Sequence, residues 1–268
     1  MRLQRKEDIS MYLYIKDVVI GPRYSEISTG MSLTPAGKPN IWNMEFDLEL
    51  NKDPFRRLEQ DINGIGRGLL YFDYTGETSI FGVEQSNIVK VYNGATTASG
   101  YSVNYLNGQV VSNQDLSGFS VDYEWNYVSV LDAWPWDEVP PLPIITIERD
   151  DGRSKGLQLG GGDIREGNWT IEIFTNNNGE RDDMLDVIWE NIYMRRCPLY
   201  NLEKGLPLDF GGLYNEQFNT DYEPLYSSMY FDDAEKRLTG LPKWGFYDHE
   251  IINRYRAQIT FTTRNYKN

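Results

Sequence analysis

Five apolar residues, Trp42, Met44, Phe46, Leu48 and Leu50, alternate with Asn43, Glu45, Asp47 and Glu49. This period of two predicts a strand with one buried and one solvated face. The same signal closes the chain, where Tyr255, Ala257, Ile259 and Phe261 face inward and Arg256, Gln258, Thr260 and Thr262 face outward. Further strands are predicted at Met11–Ile20 (a strand, or a strand with a bend), Leu69–Tyr74, Ile80–Val83 and Ile88–Tyr92. Ile144–Arg149 and Asn168–Thr175 read as two more, joined by a polar, glycine-rich loop that ends in Leu159–Asp163. Phe55–Ile62 reads as a two-turn helix with Pro54 at its start.

The best helix runs from about Gly179 to Arg196. Met184, Leu185, Ile188 and Ile192 recur on one face, with Val187 and Trp189 beside them. Glu180, Asp182 and Asp183 occupy the first turn and Arg195 and Arg196 the last, as the helix dipole favours. Asn178 reads as the N-cap and Pro198 as the stop. Ser99–Tyr105 and Ser117–Tyr123 repeat one pattern at a spacing of 18 and read as two neighbouring strands of a meander. The second copy continues through Trp125 to Val130. Four prolines within Pro135–Pro143 then block helix and central strand alike, so a boundary falls there. The expected division is a β-rich portion, 1–136, and a second domain, 137–268, with a long irregular arm at 199–250. The fold class expected is α+β, mainly antiparallel β, with one helix (179–196) packed on the C-terminal sheet.

Composition narrows the function. Tyr 19, Phe 11 and Trp 7 are too many large side chains for a disordered chain. A net charge of −14 leaves no excess of cations to neutralise phosphates, which argues against a nucleic-acid-binding domain. One cysteine, Cys197, excludes an internal disulfide and a CxxC zinc module, and one histidine, His249, excludes a multi-histidine metal site. Cys197 reads as a buried structural thiol and His249 as a loop or surface residue with no nucleophile motif to serve. No run of 18 apolar residues is present, so no membrane span is expected, and the first residues lack the apolar core of a signal peptide. Gly64–Gly68 and Gly160–Gly162 read as turns, because neither lies between a strand and a helix as a phosphate cradle requires. Trp134, Trp136, Asp137 and Glu138 sit together and permit a carbohydrate-binding or glycoside-hydrolysing alternative. Asn168-Trp-Thr170 is formally a glycosylation sequon inside a predicted strand. No catalytic, cofactor-binding or metal residues are expected.

From Leu142 onward the chain reads LPIITIERDDG, LQLGGG, NWTIEIFTNNNGERDDMLDVIWENI, CPLYNLEKGLPLDFG and RYRAQITFTT. This series resembles virion proteins of tailed bacteriophages, of the head-to-tail neck and tail-terminator kind. In that group a strand leads into an RDD-L helix, an apolar P-x-Y exit follows, and a last strand completes the sheet. The N-terminal half, to about Trp136, departs from that compact pattern and reads as a decoration domain or as the mark of another neck or tail component. The resemblance implies a structural protein of the virion tail or neck, made in the host cytoplasm. It implies assembly with copies of itself into a ring, taken as a hexamer, beside neighbouring neck or tail proteins, with DNA passing through without specific binding. A tail hub, baseplate or fibre-attachment protein is the nearest alternative. The aromatic load of the arm suits burial against a neighbouring subunit. Tyr214, Phe218, Tyr222, Tyr226, Tyr230, Phe231, Trp244 and Phe246 are the expected interface residues.

Overall fold

The computed structural model describes residues 3–45, 89–104, 108–126, 128–131, 142–156, 162–193, 195–205, 213, 215, 217, 228–239 and 255–266. The expected strands at Leu69–Tyr74 and Ile80–Val83, the expected helix at Phe55–Ile62 and the proline-rich connector lie outside them, save its end at Leu142 and Pro143. The chain forms two compact units. One comprises Met1–Ile20, Val128–Glu203 and Thr220–Asn268, and the other Gly21–Tyr127 with Lys204–Asn219. Both are built on mostly antiparallel sheets, and helices pack on one of them, as the expected α+β class requires. The expected division at 136/137 is corrected: the chain passes between units at 127/128, and residues 1–20 belong with the C-terminal sheet. The alternating stretch from Ser117 through Trp125 to Val130 reads as one strand. In fact it serves two sheets, as β7 (Ser120–Asn126) and β8 (Ser129–Leu131).

In the unit that begins at Gly21, described strands β1 (Ser25–Pro35), β2 (Ile41–Met44), β3 (Val89–Asn93), β4 (Thr96–Thr97), β5 (Tyr101–Asn104), β6 (Gln109–Ser112) and β7 form one sheet in the order β4-β3-β7-β1-β2-β6-β5. Strand β1 pairs with β7 over its first part and with β2 over its last. The change of partner follows an irregularity between Ser28 and Met31, where Gly30 sits at φ 67° and its N–H donates to Asp122 Oδ1 at 2.7 Å. Leu33, Met44, Val91, Val110, Leu116, Val121 and Tyr123 fill the core. The two repeat copies are not neighbours: β5 is an edge of the sheet and β7 lies within it. They share local chemistry instead, each entered through a left-handed glycine, Gly100 (φ 76°) and Gly118 (φ 77°), and each sending a valine, Val103 or Val121, into the same core.

In the other unit β8, β9 (Ile144–Gly156), β10 (Asp163–Phe174), β11 (Arg196–Pro198), β12 (Ser228–Thr239) and β13 (Arg256–Tyr266) form a sheet in the order β11-β12-β13-β10-β9-β8. Strands β9 and β10 run well past the expected Ile144–Arg149 and Asn168–Thr175 into the expected loop, with a bulge at Asp150. The alternation expected for the last strand holds, and it continues through two polar buried residues, Thr263 and Asn265. Strand β12 corrects the expectation of an arm irregular throughout 199–250. Its period-2 signal is short because a bulge at Asp232–Glu235, with Asp233 at φ 47°, breaks the alternation after Met229 and Phe231.

Helix α2 (Asn178–Ile192) buries Met184, Leu185, Ile188 and Ile192, the expected face. Its N-cap is Asn177, whose side chain accepts the Glu180 N–H at 2.9 Å, not Asn178. It ends at Ile192; Arg196 and Pro198 lie in β11, so the two arginines do not close the helix. The segment Met11–Ile20 is not a strand. Helix α1 (Leu3–Leu13) runs into a π-helical continuation, Tyr14–Ile20. Its buried positions Glu7, Ser10 and Met11, continued by Tyr14 of the π-helical turn, recur at helical spacing, but the first two are polar, so hydropathy does not reveal the face. Tyr14, Ile15, Val19 and Ile20 are buried five apart in two pairs, which suits i→i+5 winding.

Candidate assembly surface

The core face of the six-stranded sheet changes character along the strands. At one end β10 and β13 contribute Ile171, Ile173, Ala257 and Ile259, all buried. At the other end the same face carries Arg149, Gly152, Arg165, Gly167, Thr263 and Asn265. An aromatic row bridges the two. The Arg149 guanidinium lies 5.3 Å from the Trp169 ring, Trp169 is stacked 6.4 Å from Phe261, Phe231 meets Phe261 edge-on at 5.3 Å, and Tyr14 lies 6.0 Å from Phe231. Trp169 Nε1 donates to Thr263 Oγ1 at 2.9 Å.

Glu7 of α1 closes the polar end. Arg149 Nη1 donates to its Oε2 at 2.5 Å, Asn265 Nδ2 to its Oε1 at 2.6 Å, and Arg165 Nε lies 3.3 Å from Oε1. The Glu7 side chain is 3% exposed and that of Arg149 7%. Asp8 also accepts from Arg149, at 3.2 Å; half-burial raises its pKa against the pull of that arginine. Gly152 and Gly167 leave space for the guanidinium: a Cβ on Gly167 would lie 2.9 Å from Arg149 Nη2. Further along the N-terminal segment, Tyr200 N–H donates to Ser10 Oγ and Tyr14 O–H to the Asn191 carbonyl. Cys197 is fully buried beside the Ser10 carbonyl, and burial pushes its thiol pKa well up. This is the buried thiol that the sequence predicts. This polar end is a locking arrangement whose charged members are occupied with one another.

The outer face of the same sheet is different. Strand registers align Tyr230, Arg264, Glu166 and Arg153 in one row across β12, β13, β10 and β9, and Tyr266, Ile164 and Lys155 in the next. Tyr230 and Tyr266 are exposed and meet edge-on at 5.7 Å. Glu166 is the counter-ion at the centre. Arg153 Nε lies 2.5 Å and Lys155 Nζ 3.1 Å from its Oε2, and Arg264 Nε 3.4 Å from its Oε1. The hydrogen bond from Arg153, and then that from Lys155, hold its carboxyl below the usual range. Arg264 Nη1 also pairs with Asp232 at 2.7 Å. Three cations, two exposed tyrosines and one half-buried isoleucine thus form a contiguous patch with two carboxylates. Tyrosine and arginine, four of its residues, are the types enriched where proteins meet.

Of the expected interface residues, Tyr230 stands on this patch. Phe231, its neighbour in β12, turns to the opposite face and is buried in its own unit's core, against Phe261 and Tyr14, which corrects its assignment to an intersubunit surface. Tyr214, Phe218, Tyr222, Tyr226, Trp244 and Phe246 lie outside the described residues, as do His249, Trp134, Trp136, Asp137, Glu138 and Gly64–Gly68. Asn168 of the sequon is in a strand, as expected, and its side chain is engaged: Nδ2 donates to Asp151 and Oδ1 accepts from Thr262. Sequence reasoning missed Arg153, Lys155, Ile164, Arg264 and Tyr266. The alternation of the last strand, carried two steps beyond Thr262, places Arg264 and Tyr266 on the outer face. Among the described residues no three His, Cys, Asp or Glu side chains are grouped to hold a metal ion. No described helix is long and apolar enough to cross a membrane. Comparison with protein families and with characterised proteins found no match to this chain.

Proposed function

We propose that this protein is a structural subunit of a tailed-phage particle, at the head–tail neck or tail terminus, where copies of it form a ring around the DNA channel. The observation that carries the reading is the patch on the outer face of the six-stranded sheet. Tyr230 and Tyr266 keep large apolar rings in water on a face otherwise paired into ion and hydrogen-bond ladders. Tyrosine and arginine together supply contact area and directed hydrogen bonds in protein interfaces. The charge of −14 supports the channel role: walls that repel phosphate let a duplex slide without sticking. The sequence pattern from Leu142 onward supplies the choice of neck and tail terminus over other assemblies.

The test is location. An antibody raised against the purified chain should label tailed particles produced from the genome that encodes it, at the junction of head and tail. Labelling at the far tip of the tail would move the protein to the hub, baseplate or fibre attachment. Absence from particles, together with binding to or cleavage of a polysaccharide, would replace the reading with the carbohydrate-active alternative.

A further inference from the structure

The outer-face patch has a counterpart on the same unit. Helix α2 packs on the core face of the sheet through Met184, Leu185, Ile188 and Ile192. Its opposite side carries Asp182, Asp183, Asp186 and Glu190, all exposed. Arg181 pairs with Asp182 at 2.7 Å and Lys236 with Asp186 at 2.8 Å. The unit therefore shows an acidic ridge on one side of its sheet. On the other the Arg153, Lys155 and Arg264 cations outnumber the Glu166 and Asp232 carboxylates beside the Tyr230–Tyr266 pair.

We propose that the patch receives the α2 ridge of a second copy of this chain, head to tail. The inference rests on the ring reading above and names its contact surfaces. Charge complementarity selects the occupant. A chain of net charge −14 repels its own copies at long range, so close approach is favoured where a concentration of cations meets a concentration of carboxylates. The geometry selects the symmetry. The two surfaces are different and lie on opposite faces of one sheet, so their contact is heterologous, and repeating it yields a closed ring or an open filament rather than a two-fold dimer. Glu166 has a defined part. It gathers Arg153, Lys155 and Arg264 within 2.5–3.4 Å of one carboxylate, so the cations are held in place before the partner arrives.

The experiment uses the full chain and reads self-association by sedimentation velocity across salt concentration. Two charge-reversed variants are made. One carries Arg153→Glu and Lys155→Glu, the other Asp183→Lys and Glu190→Lys, each with a thermal melt to confirm folding. Each alone should weaken self-association by about tenfold or more. Mixed in equal amounts they should associate again, because every junction in an alternating assembly then joins opposite charges. Tyr266→Ser supplies a charge-neutral probe of the same patch and should weaken association without changing its salt dependence. The proposal is overturned if the reversed variants assemble like the wild type or if the mixture fails to associate. It is equally overturned if the wild-type chain stays monomeric at all concentrations, or if the patch binds a short DNA duplex in place of a second copy. Labelling at the head–tail junction combined with any of these outcomes would leave the virion role standing and remove only these contact surfaces.

Discussion

Glu7→Ala is the sharpest perturbation the structure offers, because one carboxylate answers three donors on three strands. Removing it leaves Arg149, 7% exposed, with the partly exposed Asp8 as its remaining carboxylate at 3.2 Å. Arg165 is 24% exposed at its side chain and can turn outward, but Asn265 is 2% exposed and cannot. Breaking a buried ion pair from one side costs about 3–5 kcal/mol, since an uncompensated charge remains inside. For a unit of this size that lowers the melting temperature by roughly 8–16 °C. The double variant Glu7→Leu with Arg149→Met removes the stranded charge along with its partner, and the loss should shrink to about 1–3 kcal/mol, the cost of leaving the Asn265 amide unpaired. Urea titration followed by tryptophan fluorescence measures both, because Trp169 lies under the Arg149 guanidinium. A Glu7→Ala loss below about 1 kcal/mol, or a double variant as unstable as the two single losses added together, would show that α1 is not held through this pair.

Three further outcomes follow from the same unit. Ile188→Ala, fully buried on α2, should cost roughly 2–5 kcal/mol, whereas Asp186→Ala, on an exposed pair with Lys236, should cost under about 1 kcal/mol; equal losses in denaturant melts would misplace the helix face. Gly167→Ala should destabilise by about 1–3 kcal/mol, because its methyl would meet a guanidinium already fixed by Glu7, and the same substitution combined with Arg149→Met should recover most of that loss. The Glu166 carboxyl is held below the usual range by Arg153 and Lys155, so its contribution is present above the unfolded-state pKa and lost as pH falls through the lowered folded value. Glu166→Gln should therefore flatten the acid limb of stability against pH, and an unchanged limb would contradict the pairing.

The parts of the fold that were legible in the sequence are those where burial and hydropathy coincide. Met184, Leu185, Ile188 and Ile192 are apolar at helical spacing, and Ala257, Ile259 and Phe261 alternate, so both the α2 face and the β13 face can be read directly. Helix α1 was illegible for the opposite reason. Its buried side includes Glu7 and Ser10, whose partners lie more than a hundred residues away. A periodicity of hydrophobic residues carries no record of a glutamate that is buried because an arginine waits for it. Read without its partners, only the β-branched tail of the segment remained, and that pattern imitates a strand.

The same separation explains why the sequence marks Tyr230 but not its surroundings. Aromatic density alone marks a stretch of chain, so Tyr230 and Phe231 read alike, although adjacent strand residues point to opposite faces. Register decides between them. With β12 paired to β13 so that Tyr230 opposes Arg264, Tyr230 joins the solvent row and Phe231 the core row. Arg153, Lys155 and Ile164 enter that row only through the β9–β10 and β10–β13 pairings, which bring together positions up to 102 apart, as Ile164 and Tyr266 are. A surface of this kind is a property of strand alignment. A one-residue slip of β13 against β10 would send Arg264 and Tyr266 inward and Thr263 and Asn265 outward. That slip would also strip Glu7 of Asn265 and Trp169 Nε1 of Thr263. The buried lock on one face therefore fixes the register that assembles the exposed patch on the other.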